Sequence, residues 1–181
     1  MTADRNAEKE LKNAAEQAVA GAAKRGVKDS RAVASRSRSV SVTYRLGRPD
    51  KVQESSQRSL TLSLYVDGRY SVSTTNDLRR SALEKFFDNA AALTRAMTPD
   101  PFRVMPDPSL YAGRRDVELG LYDPGVAGVI PSDRNTYAAE MEAAALAKAG
   151  AMAVSAEATY EDGESELVQI HSNGFEGAKR G

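Results

Sequence analysis

The one imidazole in this sequence is His171, followed directly by Ser172 in Val168-Gln-Ile-His-Ser-Asn-Gly174. A histidine beside a serine could act as general base to a nucleophile, because imidazole exchanges protons near neutral pH. That chemistry also needs a third group to orient the ring, and no motif here supplies one. A histidine at a strand end is the favoured reading. Five carboxylates, Glu157, Glu161, Asp162, Glu164 and Glu166, cluster just before it. Paired acids could hold a hard cation or cleave a glycosidic bond, but the Asp-x-Asp-x-Asp-Gly order of a calcium loop is missing. A solvated hairpin rim suits them better. Six cations, Lys24, Arg25, Lys28, Arg31, Arg36 and Arg38, fall within fifteen residues. Arg36 and Arg38 would share a strand face and could touch phosphate, yet no aromatic platform is interleaved with them. A basic helix end running into an exposed strand start is the simpler reading. Gly125-Val-Ala-Gly128 has neither the spacing nor the Lys-Ser/Thr of a phosphate loop. The alternating Ser35, Ser37, Ser39 and Ser41 read as a polar strand face.

Composition narrows the chemistry further. Cysteine is absent from the 181 residues, which removes disulfides, thiol nucleophiles and zinc sites of the Cys/His type within this chain. The 25 Lys and Arg cancel the 25 Asp and Glu, so no net field draws the chain to nucleic acid or membrane. With 41% hydrophobic residues a modest core can close, but Trp is missing and Phe occurs four times, so it must be built from small pieces. No stretch approaches the ~20 apolar residues of a membrane helix, and the charged start lacks the apolar region of a secretory signal. A soluble, cytoplasmic protein is expected.

The elements that must position these groups follow from periodicity. Leu11, Ala14, Ala15, Ala18, Val19 and Ala22 mark one face of a helix over 7–24, with Gly26 as C-cap. Val40, Val42 and Tyr44 alternate with Ser39, Ser41 and Thr43. Leu60, Leu62, Leu64 and Val66 do the same with Thr61, Ser63 and Tyr65, and Asp67-Gly68 turns that strand back through Tyr70 and Val72. The polar second face predicts a sheet covered on one side only. A second helix is expected to begin near Asn76-Asp77, carry Leu83, Phe86, Phe87, Ala90, Leu93 and Met97 as its apolar stripe, and end at Pro99. Residues 99–131 read as a Pro- and Gly-rich arm with at most one short strand around Val117–Leu121, either a functional wrap or a surface excursion. A third helix starts after Ser132-Asp133, with Tyr137, Met141, Ala144, Ala145 and Ala149 as its apolar positions. Two strands over about 152–160 and 165–172 are expected, joined at Glu161-Asp-Gly163. The sum is a single α+β domain over 1–181: helix, meander and helix (7–98), arm (99–131), then helix plus hairpin (132–175). Its antiparallel or mixed sheet of hairpins is covered by helices, in the order α-βββ-α-(arm)-α-ββ.

With those elements laid out, the sequence resembles the TldD/PmbA family, long labelled modulators of DNA gyrase and regarded as peptidases. Ser39-Val-Ser-Val-Thr-Tyr-Arg-Leu-Gly47 with Val52-Gln-Glu-Ser-Ser56 is similar to the family's first hairpin. Leu60-Thr-Leu-Ser-Leu-Tyr-Val-Asp-Gly-Arg69 and Ser71-Val-Ser-Thr-Thr-Asn-Asp-Leu78 resemble its central hairpin and the entry to the second helix. Thr98-Pro-Asp-Pro101, Leu119-Gly-Leu-Tyr-Asp-Pro124, Glu140-Met-Glu-Ala-Ala-Ala-Leu146 and Ser172-Asn-Gly-Phe175 carry the rest, over about 7–177. The details from Ser71 to Leu78, and the Ser-Asn-Gly-Phe ending, are closer to the PmbA (TldE) type.

The resemblance implies the N-terminal domain of longer proteins. In those, a TldD-type subunit supplies a His-Glu-x-x-x-His zinc motif from the later part of its chain, and the TldE type lacks it. It further implies a heterodimer that degrades unfolded peptides and trims leaders from modified ones. No catalytic or metal-binding residue carries over, since no position here matches the motif; any zinc would be bound by a partner or by a missing domain. Ending at Gly181, the chain is expected to be either a piece of a longer protein or a free-standing domain. The expected function is a non-catalytic domain of a TldD/PmbA-type peptidase subunit, assisting dimerisation and peptide access to a zinc site elsewhere. Its expected partner is protein, as a homodimer or with a TldD-type subunit. The alternative is a stand-alone protein-interaction module, including a gyrase- or DNA-associated regulator. An independent hydrolase using His171 ranks last.

Overall fold

Small side chains on the first helix and large ones on the second account for how the sheet is covered. The computed structural model describes residues 2–111 and 119–181. Its elements are α1 (Thr2–Lys24), β1 (Asp29–Arg45), β2 (Arg48–Val66), β3 (Arg69–Thr75), α2 (Arg80–Ala96), α3 (Pro131–Ala149), β4 (Glu157–His171) and β5 (Glu176–Arg180). Short 3-10 turns lie at Pro108–Tyr111, Pro124–Gly128 and Gly150–Met152. This is the expected α+β order. The five strands form one sheet in the order β3-β2-β1-β4-β5. Tight two-residue turns set two of the hairpins: Leu46-Gly47 and Asp67-Gly68 both place two consecutive residues at positive φ, the geometry that matches strand twist. Ser30 meets Ser172, and Thr43 meets Thr159, so residue numbers fall along β4 as they rise along β1 and the pairing is antiparallel.

The chain divides into two compact units. The first holds residues 1–36, 57–120 and 166–180. Its core joins Leu11, Ala15, Ala18 and Ala22 of α1 to Leu60, Leu62 and Leu64 of β2 and to Leu83, Phe87, Ala90 and Ala91 of α2. α1 ends as its sequence requires: Gly26 is left-handed, its N–H donates to Ala23 O, and Val27 N–H donates to Ala22 O. The second unit holds residues 37–56, 121–165 and Gly181, with Val40, Val42 and Ala138 buried. β1, β2 and β4 each contribute residues to both units. Among the described residues, no helix is long and apolar enough to cross a membrane.

Several expectations need correction. β4 runs unbroken through Glu161-Asp-Gly163, and its hairpin partner is β5, reached through the turn after His171. β1 begins ten residues before Ser39, and α2 starts at Arg80 because the Asp77 carboxylate ties down Arg79 through its backbone N–H and its guanidinium. On α2, Leu93 and Met97 are exposed and Thr94 is buried, with its hydroxyl bonded to Ser71 Oγ and donating to Ala90 O. α3 buries Arg134, Ala138 and Glu142, while Tyr137 and Met141 are exposed. Leu119–Leu121 is not strand; the remainder of the Val117–Leu121 expectation lies outside the described residues. The sheet's second face is not bare either. Ser63 is fully buried there.

Candidate functional site

Arg31 lies on β1, the central strand of the five, on the face opposite the buried Ala32 and Ala34. With Ser30 paired to Ser172, Arg31 stands directly across from His171. On the other side its Nη2 reaches Ser63 Oγ at 3.4 Å. Ser63 in turn pairs with Val72 of β3, and Tyr65 stands two residues along on the same face of β2. Tyr65 pairs with Tyr70 at the β3 edge, ring centroids 4.9 Å apart, and His171 N–H donates to Phe175 O at the β5 end.

The arm closes over this row within the first unit. The Tyr111 ring sits 5.1 Å from the His171 ring and 4.6 Å from that of Phe175. Arg103 lies over Tyr70 at 5.4 Å, and Asn173 Nδ2 donates to Pro106 O. His171 is consequently only 4% exposed. Its Nε2 is 2.6 Å from Gln169 Nε2. An amide nitrogen can only donate, so Nε2 is the acceptor and the ring proton resides on Nδ1. Burial, helped by the Arg31 charge, lowers the imidazole pKa from 6.5 to about 4. Burial likewise raises the Tyr65 phenol, with Tyr70 adding to the shift.

A pH dependence follows. Between about pH 6.5 and 4 the unfolded chain takes up a proton that folded His171 refuses, so stability must fall as pH falls, by up to about 1.4 kcal/mol per pH unit. Above the unfolded value the effect vanishes. Urea midpoints measured across this window should fall less steeply for His171→Gln than for the native sequence; parallel curves would exclude the assignment.

The other candidate residues are placed apart from one another. Ser172 Oγ accepts from Ser30 N–H, so the hydroxyl is held by backbone and makes no pair with His171. Glu166 is buried and bound by Arg36 in a two-pronged pair at 2.9 and 3.0 Å, with Arg180 at 3.2 Å. Glu166 and Arg180, with Glu8, Leu11 and Ala178, line a cleft of about 220 Å³. Asp162 is bound by Arg134 on α3. Arg38 pairs with Glu54, and Arg25 with Glu84 and Asp88. Three of the six cations of the basic stretch, Arg25, Arg36 and Arg38, are therefore held by carboxylates. Gly125 serves a local turn, its N–H donating to Asp123, and Ser35 bonds Ser59.

Zinc does not fit the described residues. No group of three His, Cys, Asp or Glu among the described residues could hold a metal, and the single imidazole has one nitrogen engaged by Gln169. Sequence reasoning counted Arg31 only within a basic stretch and did not single out Tyr65, Tyr70 or Tyr111. A signal existed: Arg31 and Val33 alternate with Ala32 and Ala34.

Residues 31–94 match the family model described as PmbA/TldA metallopeptidase domain 1. A protein of Bacteroides thetaiotaomicron, described as a proposed modulator of DNA gyrase, is 36% identical, with a TM-score of 0.86 over 94% of this chain and 38% of that one. A Thermotoga maritima protein of the same description is 16% identical, with a TM-score of 0.70 over 93% and 37% of the two chains. TldE from Thermococcus kodakarensis is 14% identical, with a TM-score of 0.73 over 93% and 37%. At those identities the last two show the fold alone. No curated protein matches. The chain spans less than two-fifths of the length of each of these solved relatives.

Proposed function

Since this chain is an N-terminal domain of the TldD/PmbA family, we propose that it serves a TldD/PmbA-type peptidase assembly as a non-catalytic domain. In this reading it acts in the cytoplasm, pairs with a second subunit, and helps pass extended peptide to a zinc site carried outside these 181 residues. The observation that carries the reading is 36% identity over 94% of this chain, together with the family match at 31–94. The sequence holds one histidine, so a His-Glu-x-x-x-His motif has to come from elsewhere. The details of Ser71–Leu78 favour the TldE type as the parent subunit.

Mixing the purified chain with a TldD-type subunit tests this. The expected result is a complex of both chains in size-exclusion chromatography, with zinc-dependent hydrolysis of an unfolded peptide greater than that of the TldD-type subunit alone. The chain alone should not hydrolyse it. Failure to associate, with hydrolysis unchanged by its addition, would overturn the proposal. The gyrase- or DNA-associated alternative draws its support from the description of the Bacteroides protein. Against it, Arg36 and Arg38 are already held by Glu166 and Glu54. Salt-dependent DNA binding lost on changing both arginines would reverse that judgement.

A further inference from the structure

We propose that the second face of the sheet, where Arg31 stands across from His171 beneath Tyr111, is a binding site for a peptide carboxylate.

Three hydrogen-bond donors in this patch lack acceptors. Arg31 Nε–H is buried and unpartnered, while Nη2 makes only the long contact of 3.4 Å to Ser63 Oγ. His171 carries its proton on Nδ1, also buried and unpartnered. The Tyr111 hydroxyl is the third. Buried polar groups in folded proteins are overwhelmingly paired, so three orphans in one patch call for an acceptor supplied from outside. The contrast with the other arginines is specific. Arg25, Arg36, Arg38 and Arg134 each meet a carboxylate, whereas no carboxylate among the described residues pairs with Arg31.

The chemistry selects a carboxylate. A neutral imidazole leaves Arg31 as the one charge facing the ring, which suits a monoanion. A planar guanidinium edge matches two coplanar oxygens, and the phenol and imidazole N–H can complete their shell. Tyr65, Tyr70 and Phe175 flank the patch and provide an apolar surface for the side chain beside that carboxylate. Asn173 Oδ1, an unpartnered acceptor two residues before Phe175, suits a peptide N–H. The carboxylate can come from a peptide C-terminus or from an Asp or Glu side chain.

The proposal deepens the peptide-handling reading by naming the group that is grasped. The test uses the 181-residue chain alone, so its failure is distinguishable from failure of the assembly. Calorimetric titration would compare acetyl-Ala-Ala-Phe with a free C-terminus, the same peptide amidated, and amidated acetyl-Ala-Asp-Phe. At least about tenfold tighter binding of one or both carboxylate peptides over the neutral amide is expected. Preference for the first assigns a chain terminus, and preference for the third assigns an acidic side chain. Binding should weaken at least about tenfold in Arg31→Lys, which keeps the charge but loses the fork, and the His171 Nδ1 resonance should shift on saturation in the native chain. Circular dichroism of Arg31→Lys establishes that the variant is folded. Equal binding of all three peptides, no binding at about 10 mM, tighter binding of inorganic phosphate, or an unaffected Arg31→Lys variant would each overturn the proposal.

Discussion

Replacing Asp162 with alanine is expected to destabilise the protein by about 3–5 kcal/mol, although Asp162 belongs to a run of acids that reads as solvated in the sequence. Its carboxylate meets Arg134 Nε at 2.6 Å and Nη2 at 2.9 Å, and the two side chains are 8% and 7% exposed. The hydrogen bonds to Asp162 raise the Arg134 pKa despite its burial, so the guanidinium cannot escape by losing its proton. Removing the acid leaves a buried cation without its partner, and that desolvation is the main cost. Removing both charges is a different matter. Arg134→Met with Asp162→Leu should recover most of the loss, because well-packed apolar groups often replace a buried pair at little cost. Urea unfolding followed by circular dichroism measures both. A loss below about 1 kcal/mol in Asp162→Ala would mean that water reaches the pair and screens it.

The same three residues show where the sequence stops being legible. Glu161-Asp-Gly163 and Asp67-Gly68 carry the same local signal, yet only the second is a turn. Gly163 is needed in mid-strand for a reason outside its neighbourhood. A Cβ there would lie 2.6 Å from Arg38 O on the adjacent strand, a close backbone approach that only glycine permits. On α3 the apolar period picked out Tyr137 and Met141, but the side that packs is Arg134-Ala138-Glu142. Its ends are fixed by Asp162 and by the Gly47 N–H, which donates to Glu142 at 3.1 Å. Hydrophobic periodicity cannot see a helix face whose partners are polar.

Where apolar contrast was strong, reading was reliable. Leu60, Leu62 and Leu64 form the sheet core, and Leu83, Phe87 and Ala90 pack over it as expected. The candidate site was largely hidden. Arg31 and His171 come from two strands that register alone brings opposite each other, and Tyr111 reaches them from the arm.

Phe87→Ala should be the other severe change, at about 3–5 kcal/mol, because it empties a buried aromatic site in the core shared by the helices and the sheet. The light stripe of α1 is the complement of that ring. A Cβ at Gly21 would overlap Phe87 Cδ2, so Gly21 is the hole into which the ring fits. In a helix interior, glycine otherwise costs about 1 kcal/mol relative to alanine, and here that cost permits the contact. Gly21→Ala alone should therefore destabilise by about 1–3 kcal/mol, overpacking outweighing the gain in helix propensity. Combined with Phe87→Ala, the same substitution should reverse sign and stabilise by up to about 1 kcal/mol, since the new methyl then meets empty space. That reversal is a coupling measurable in a four-point cycle of urea midpoints. If Gly21→Ala has the same effect in both backgrounds, the glycine answers to some other constraint, and the fit between the light helix and the heavy one is not what sets the position of α1.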